Sequence, residues 1–151
     1  MPEDDYAYVL TIRDQWWQKL RARNQAGKQV HSYVFAGQQA PPKRTSKLFF
    51  YVVKPVGEIA AYADFIERRI GDVEEMWDEL GDETVFASKE QFKSFLNGKG
   101  KAVFVRFQNL KECSRWIKRE TLLVFLGRKK LPQRGLYIDK KTAEKLMILM
   151  G

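Results

Sequence analysis

Two clusters of cations hold the side chains of this sequence best suited to chemistry. Arg115, Trp116, Lys118 and Arg119 form the first; Arg128, Lys129, Lys130 and Arg134, set among Gly127, Pro132 and Gly135, form the second. An indole among guanidinium and ammonium groups suits an RNA groove, because the ring stacks on a base while the cations hold the phosphate backbone. Cations carried in a turn follow phosphates easily, although a solvated turn has the same composition. A third group, FFYVVK at residues 49–54 followed by Gly57, offers Tyr51 to a base and Lys54 to a phosphate.

Acid–base candidates are few. One cysteine and one histidine exclude an internal disulfide, a cysteine-cluster zinc site and a His-pair metal site. Cys113, far from His31 in sequence, reads as a structural thiol rather than a nucleophile. No GxxxxGK[ST], GxGxxG or HExxH stretch occurs, so nucleotide hydrolysis, dinucleotide cofactors and zinc peptidase chemistry have no support. Neither cofactor nor metal is expected.

Charge is sorted along the chain. Within a formal net charge of +8, residues 58–90 hold eleven acids against three bases, whereas residues 101–151 hold thirteen bases against four acids. A basic surface with interleaved aromatics attracts a polyphosphate through counterion release, so nucleic acid leads the candidate partners. No run approaches the roughly 18 apolar residues of a membrane span. The acidic start, MPEDDYAYVL, lacks the basic and apolar regions of a signal peptide, so a cytoplasmic location is expected. With 151 residues, 44% of them hydrophobic, a single domain over 1–151 is expected.

The elements that must position these residues follow from periodicity and caps. AYVLTIR (7–13) predicts a strand, and Asp14 is expected to cap a helix that closes at Gly27, with Trp17 and Leu20 on its buried face and Trp16 about 100° away. KQVHSYVF (28–35) predicts a strand, followed by a mobile basic loop with Pro41, Pro42, Lys43 and Arg44. Residues 47–53 and 58–68 predict a hairpin about KPVGE. Two short helices follow, with capping pairs Asp72/Glu75 and Ser88/Gln91, and their acids are expected to form a solvated face. KAVFVRF (101–107) predicts a strand, TLLVFL (121–126) is apolar without a clear period, LYID is a short strand, and Asp139 caps a closing helix with Ala143, Leu146, Met147 and Met150 at helical spacing.

This order resembles the PUA-like superfamily of small mixed β-barrels with short flanking helices, an α+β fold. From Lys47 to Leu110, WDELGDETVF and SKEQFKSF before KAVFVRFQNL look like the family catalogued as domain of unknown function 365, and the ending GLYID fits as well. The resemblance spans about two thirds of the chain and leaves out the first 46 residues. It implies binding of RNA or modified bases in a cleft beside the barrel, as in PUA, ASCH, EVE and YTH domains; some ASCH proteins hydrolyse modified nucleosides. Where ASCH proteins carry G-x-K-x-x-E-x-R, this chain reads AGKQVHSY (26–33), with Gly27 and Lys28 present and the Glu and Arg missing.

The leading expectation is therefore an RNA-binding module with a basic surface (Arg115, Trp116, Lys118, Arg119, Arg128, Lys129, Lys130, Arg134) and a base pocket near Lys28, Tyr33, Tyr51 and Lys54. The alternative is an ASCH-type amidohydrolase using Lys28, His31 and Glu58. A protein adaptor working through the acidic residues 72–90 is a third reading. Oligomeric state is left open.

Overall fold

Alternating apolar side chains build one sheet, and capped amphipathic segments build the helices around it. The computed structural model describes residues 5–38 and 40–151. Its strands are β1 (Ala7–Ile12), β2 (Val30–Ala36), β3 (Lys47–Val52), β4 (Glu58–Asp72), β5 (Lys101–Lys118) and β6 (Gly135–Ile138). Its helices are α1 (Asp14–Gln25), α2 (Val73–Leu80), α3 (Lys89–Leu96), α4 (Arg119–Leu126) and α5 (Lys140–Met150), with a 3-10 turn at Gly81–Glu83.

The six strands lie in the order β2-β5-β4-β3-β1-β6. The β1–β3 pair is parallel and the others are antiparallel. The expected α+β, PUA-like architecture is present, but the barrel is not closed, because β2 and β6 are the two edges of the sheet. Three register shifts between β4 and β5 bend these long strands, as bulges do. The bend brings the Tyr33 hydroxyl on edge strand β2 to the Thr11 carbonyl on β1, 3.4 Å away.

Three apolar clusters fill the layers. Trp17 and Leu20 of α1 pack with Tyr8, Phe50 and Phe107 on one face of the sheet. Val9, Phe49, Tyr51, Ile117 and Leu122 pack with Leu146 and Met150 of α5 on the other. Phe92 and Phe104 centre a third cluster beneath α2 and α3.

Several expectations change. The N-cap of α1 is Arg13, and Asp14 instead accepts a hydrogen bond from Gln18 at 3.2 Å. Asp72 occupies the N-cap of α2 without a capping bond, because its carboxylate pairs with Lys101 at 2.9 Å. β4 and β5 run on to Asp72 and Lys118, beyond the expected ends at Arg68 and Phe107, and TLLVFL falls within α4. The loop before β3 is tied down: Arg68 donates to the Ala40 and Gln38 carbonyls at 2.9 and 3.0 Å, and Ala40 and Thr45 are buried.

Candidate nucleic-acid interface

Strand register decides which functional side chains meet. Ile12 lies beside Val52, Val52 beside Glu58, Glu58 beside Lys118, and Leu10 beside Gly135. The ends of β1, β3 and β5 and the starts of β4 and β6 therefore share one end of the sheet. That end collects Arg13, Lys54, Arg115, Lys118, Arg119, Arg128, Lys129, Lys130 and Arg134. Among the described residues none of these forms an ion pair, since the ion pairs of the protein use other cations. The loop carrying Arg128 to Arg134 is fixed to β1, with Thr11 Oγ1 donating to the Gln133 carbonyl at 2.7 Å and the Tyr8 hydroxyl to the Arg134 carbonyl at 2.9 Å. Its cationic side chains are exposed.

A groove of about 480 Å³ opens at this end, lined by Lys54, Pro55, Val56, Gly57, Glu58, Lys118, Arg119 and Glu120. Arg119 N–H donates to the Gly57 carbonyl at 3.0 Å, which fastens the start of α4 to the β3–β4 turn. Tyr51 lies beneath, and burial raises the pKa of its phenol. Gly57 and Glu120 join the expected Lys54, Glu58, Lys118 and Arg119 here. No local pattern announces this meeting, which depends on the long return of β5.

The other expected residues lie elsewhere. Lys28 lines a separate concavity of about 420 Å³ with Asn24, Gln29, Gln108 and Asn109, and pairs with Asp82 at 3.3 Å. His31 is fully buried, 3.1 Å from Asn24 Oδ1 and stacked on Phe107. Burial, aided by Arg23 and Lys28, lowers its pKa to about 4. Lys28 and Glu58 thus line different concavities, and the trio Lys28, His31 and Glu58 is not assembled around one space. Tyr33 packs against the α1-side cluster and Tyr51 within the opposite one, so Lys28, Tyr33, Tyr51 and Lys54 do not form a single pocket. Burial pushes the Tyr33 phenol up to about 12.

Trp116 is half-buried rather than presented as an open platform. It meets Trp17 edge-on at 6.2 Å, with the Arg21 guanidinium 5.9 Å from its centroid. Trp16 is similarly enclosed by Phe86 and Phe95. Cys113 is buried, and its thiol is pushed up to about 11 by that burial.

The acids of residues 58–90 are more engaged than a solvated face would be. Arg106 bonds Glu83 through two nitrogens at 2.9 and 2.8 Å and Glu67 at 2.5 Å, and Ser32 donates to Glu83 at 2.8 Å. Burial opposes ionisation of Glu83, but the Arg106 and Ser32 hydrogen bonds outweigh it and hold the carboxyl below its usual range. Glu79 pairs with Arg69, and Glu74 with both Lys89 and Lys93. Among the described residues no group of three His, Cys, Asp or Glu side chains is placed to hold a metal, and no helix is long and apolar enough to cross a membrane.

An α+β domain with an open, curled sheet and a cation-rich end defines the class. The whole chain superposes on the ASCH protein ZmASCH from Zymomonas mobilis, with a TM-score of 0.77 and 22% identity over 98% of each chain. Two point mutants of that protein give TM-scores of 0.77 and 0.76 at 21% identity, covering 98% and 96% of this chain and 99% of theirs. This chain therefore has the ASCH, PUA-like fold. No family model matches it, so the likeness to domain of unknown function 365 gains no support, and no curated protein matches it either.

Proposed function

We propose that this protein is an RNA-binding module that holds an unpaired strand at the cation-rich end of its sheet. The observation that carries the reading is the convergence there of nine cations without ion pairs among the described residues, against acids elsewhere that are matched to bases. Unpaired cations exchange condensed counterions for phosphates, whereas a cation already bound to a carboxylate gains less from the exchange. Binding needs no general base, which agrees with a His31 that is buried and far from ionising at neutral pH. The fold shared with ZmASCH is compatible with this reading; fold alone does not carry function.

The test is whether the purified protein carries nucleic acid. The expected result is a 260/280 nm absorbance ratio that falls on ribonuclease treatment, together with binding of added single-stranded RNA by the stripped protein. Failure of the stripped protein to bind RNA at low salt would overturn the proposal.

A further inference from the structure

The groove between the β3–β4 turn and α4 has features that general basic attraction does not require. Tyr51 is only 4% exposed, and its hydroxyl makes no hydrogen bond with the described residues. The ring is buried while the hydroxyl itself is not sealed from solvent, so its donor is open to a ligand. The hydroxyl lies 3.7 Å from where a Cβ on Gly57 would stand and feels the charges of Arg119 and Glu120. All three of those residues line the groove, so the hydroxyl stands behind its Gly57 wall. The absence of a side chain at Gly57 leaves it within reach. Its raised pKa keeps it a donor at neutral pH.

The start of α4 supplies the second set of donors. Lys118 at the N-cap makes no side-chain capping bond, and the Arg119 N–H is taken by the Gly57 carbonyl. The N–H groups of Glu120 and Thr121 also lie in the first turn, where an α-helix has no i−4 carbonyl for its donors and favours an anion. Three cations and two carboxylates line the groove, a balance of one positive charge. That balance matches the single negative charge of a phosphodiester better than the two charges of a phosphate monoester.

We infer that this groove seats one internal phosphodiester of the bound strand, through the Tyr51 hydroxyl, the Glu120 and Thr121 N–H groups, and the side chains of Lys118 and Arg119. The ligand rests on the RNA-binding reading; the anion site itself rests on the geometry. A phosphate fixed at one point sets the register of the strand along the cationic surface.

Binding of a single-stranded oligouridylate is to be measured across a salt series for the wild type, Tyr51→Phe and Lys118→Gln, with backbone amide shifts followed by NMR. Tyr51→Phe removes one uncharged donor, so affinity should fall roughly tenfold with an unchanged salt slope. Lys118→Gln should flatten the slope by about 0.7. The Glu120 and Thr121 amides should shift when RNA is added. Tight binding by Tyr51→Phe with unmoved amides would overturn the site and leave the RNA reading intact. Should the wild type bind no RNA, the RNA reading fails, and inorganic phosphate and uridine monophosphate become the probes. Glu120 and Thr121 shifts that disappear in Tyr51→Phe would then uphold an anion site for a free ligand, and no shifts would overturn it. If Tyr51→Phe does not fold, the exposed Glu120→Gln replaces it, with a severalfold gain in affinity expected and no gain counting against the site.

Discussion

At the end of the sheet where β4 finishes and β5 starts, acids and bases are matched one to another: Asp72 with Lys101, Glu74 with Lys89 and Lys93, Glu79 with Arg69, and Glu67 and Glu83 with Arg106. At the opposite end, around the β3–β4 turn and the loop before β6, the cations have no such partners among the described residues. The formal charge of +8 is thus a poor guide to what the protein can bind. Where the charges have already found each other they hold elements in place; where they have not, they remain available to a polyanion. Most matched pairs are exposed and contribute little to stability. The Arg106 hub differs, because its side chain and that of Glu83 are only 20% and 12% exposed, and it fastens the 3-10 turn to β5.

This contrast can be broken most forcefully at the matched end. Arg106→Met strands Glu83 without its partner and should cost about 3 kcal/mol of stability, read from urea unfolding. RNA affinity measured where the variant is folded should stay at the wild-type level. Lost affinity in a folded Arg106→Met protein would mean that the matched end takes part in binding.

Trp116→Ala sharpens the boundary between the core and the cationic end. Since Trp116 packs on the fully buried Trp17, its removal should cost about 3 kcal/mol, visible as a lowered melting temperature. An unchanged melting temperature with weakened RNA binding would restore the sequence-based view of Trp116 as a stacking platform.

His31 makes stability depend on pH. Its folded pKa of about 4 lies below the usual 6.5, so the unfolded chain takes up the proton first as pH falls. The His31 contribution is complete above pH 6.5 and is lost as pH drops towards 4, at up to about 1.4 kcal/mol per unit. His31→Gln should flatten that part of the profile, as followed by urea midpoints, and an unaltered profile would contradict the assignment.

Lys28→Arg should have the smallest effect. It keeps the charge facing Asp82 and lies in a concavity separate from the cationic groove, so RNA affinity should change less than twofold and acylated nucleosides should not be turned over. Turnover by the wild type that vanishes in Lys28→Arg would favour the hydrolase instead.

Much of the architecture was legible in local pattern. The Ser88 cap accepts from Gln91 N–H at 3.2 Å and the Asp139 cap from Thr142 N–H at 2.8 Å, as their spacing implied. Trp17 and Leu20 are buried, and so are Ala143, Leu146 and Met150, because helical period reports a buried face directly. The second half of β5 was hidden because register shifts break the two-residue alternation that marks a strand. TLLVFL concealed α4 because its exposed Val124 and Phe125 interrupt the polar face expected of a surface helix. Cations at 54, 118–119 and 128–134 were visible as candidates, but their shared end depends on pairings such as Glu58 with Lys118, which span most of two long strands. Charge pairing was illegible for the same reason: Arg106 and Glu83 meet through the fold and not through proximity in sequence.

If placement rather than net charge governs RNA binding, two variants with the same loss of charge must behave differently. In one, Arg128, Lys129 and Lys130 are changed to Gln at the unmatched end; in the other, Arg69, Lys89 and Lys101 are changed to Gln at the matched end. Log affinity for single-stranded RNA is measured against log salt for both and for the wild type. The first variant should flatten the slope by about 2, at roughly 0.7 for each phosphate left without its cation, while the second keeps the wild-type slope. Equal flattening in both variants, or flattening only in the second, would contradict control by placement.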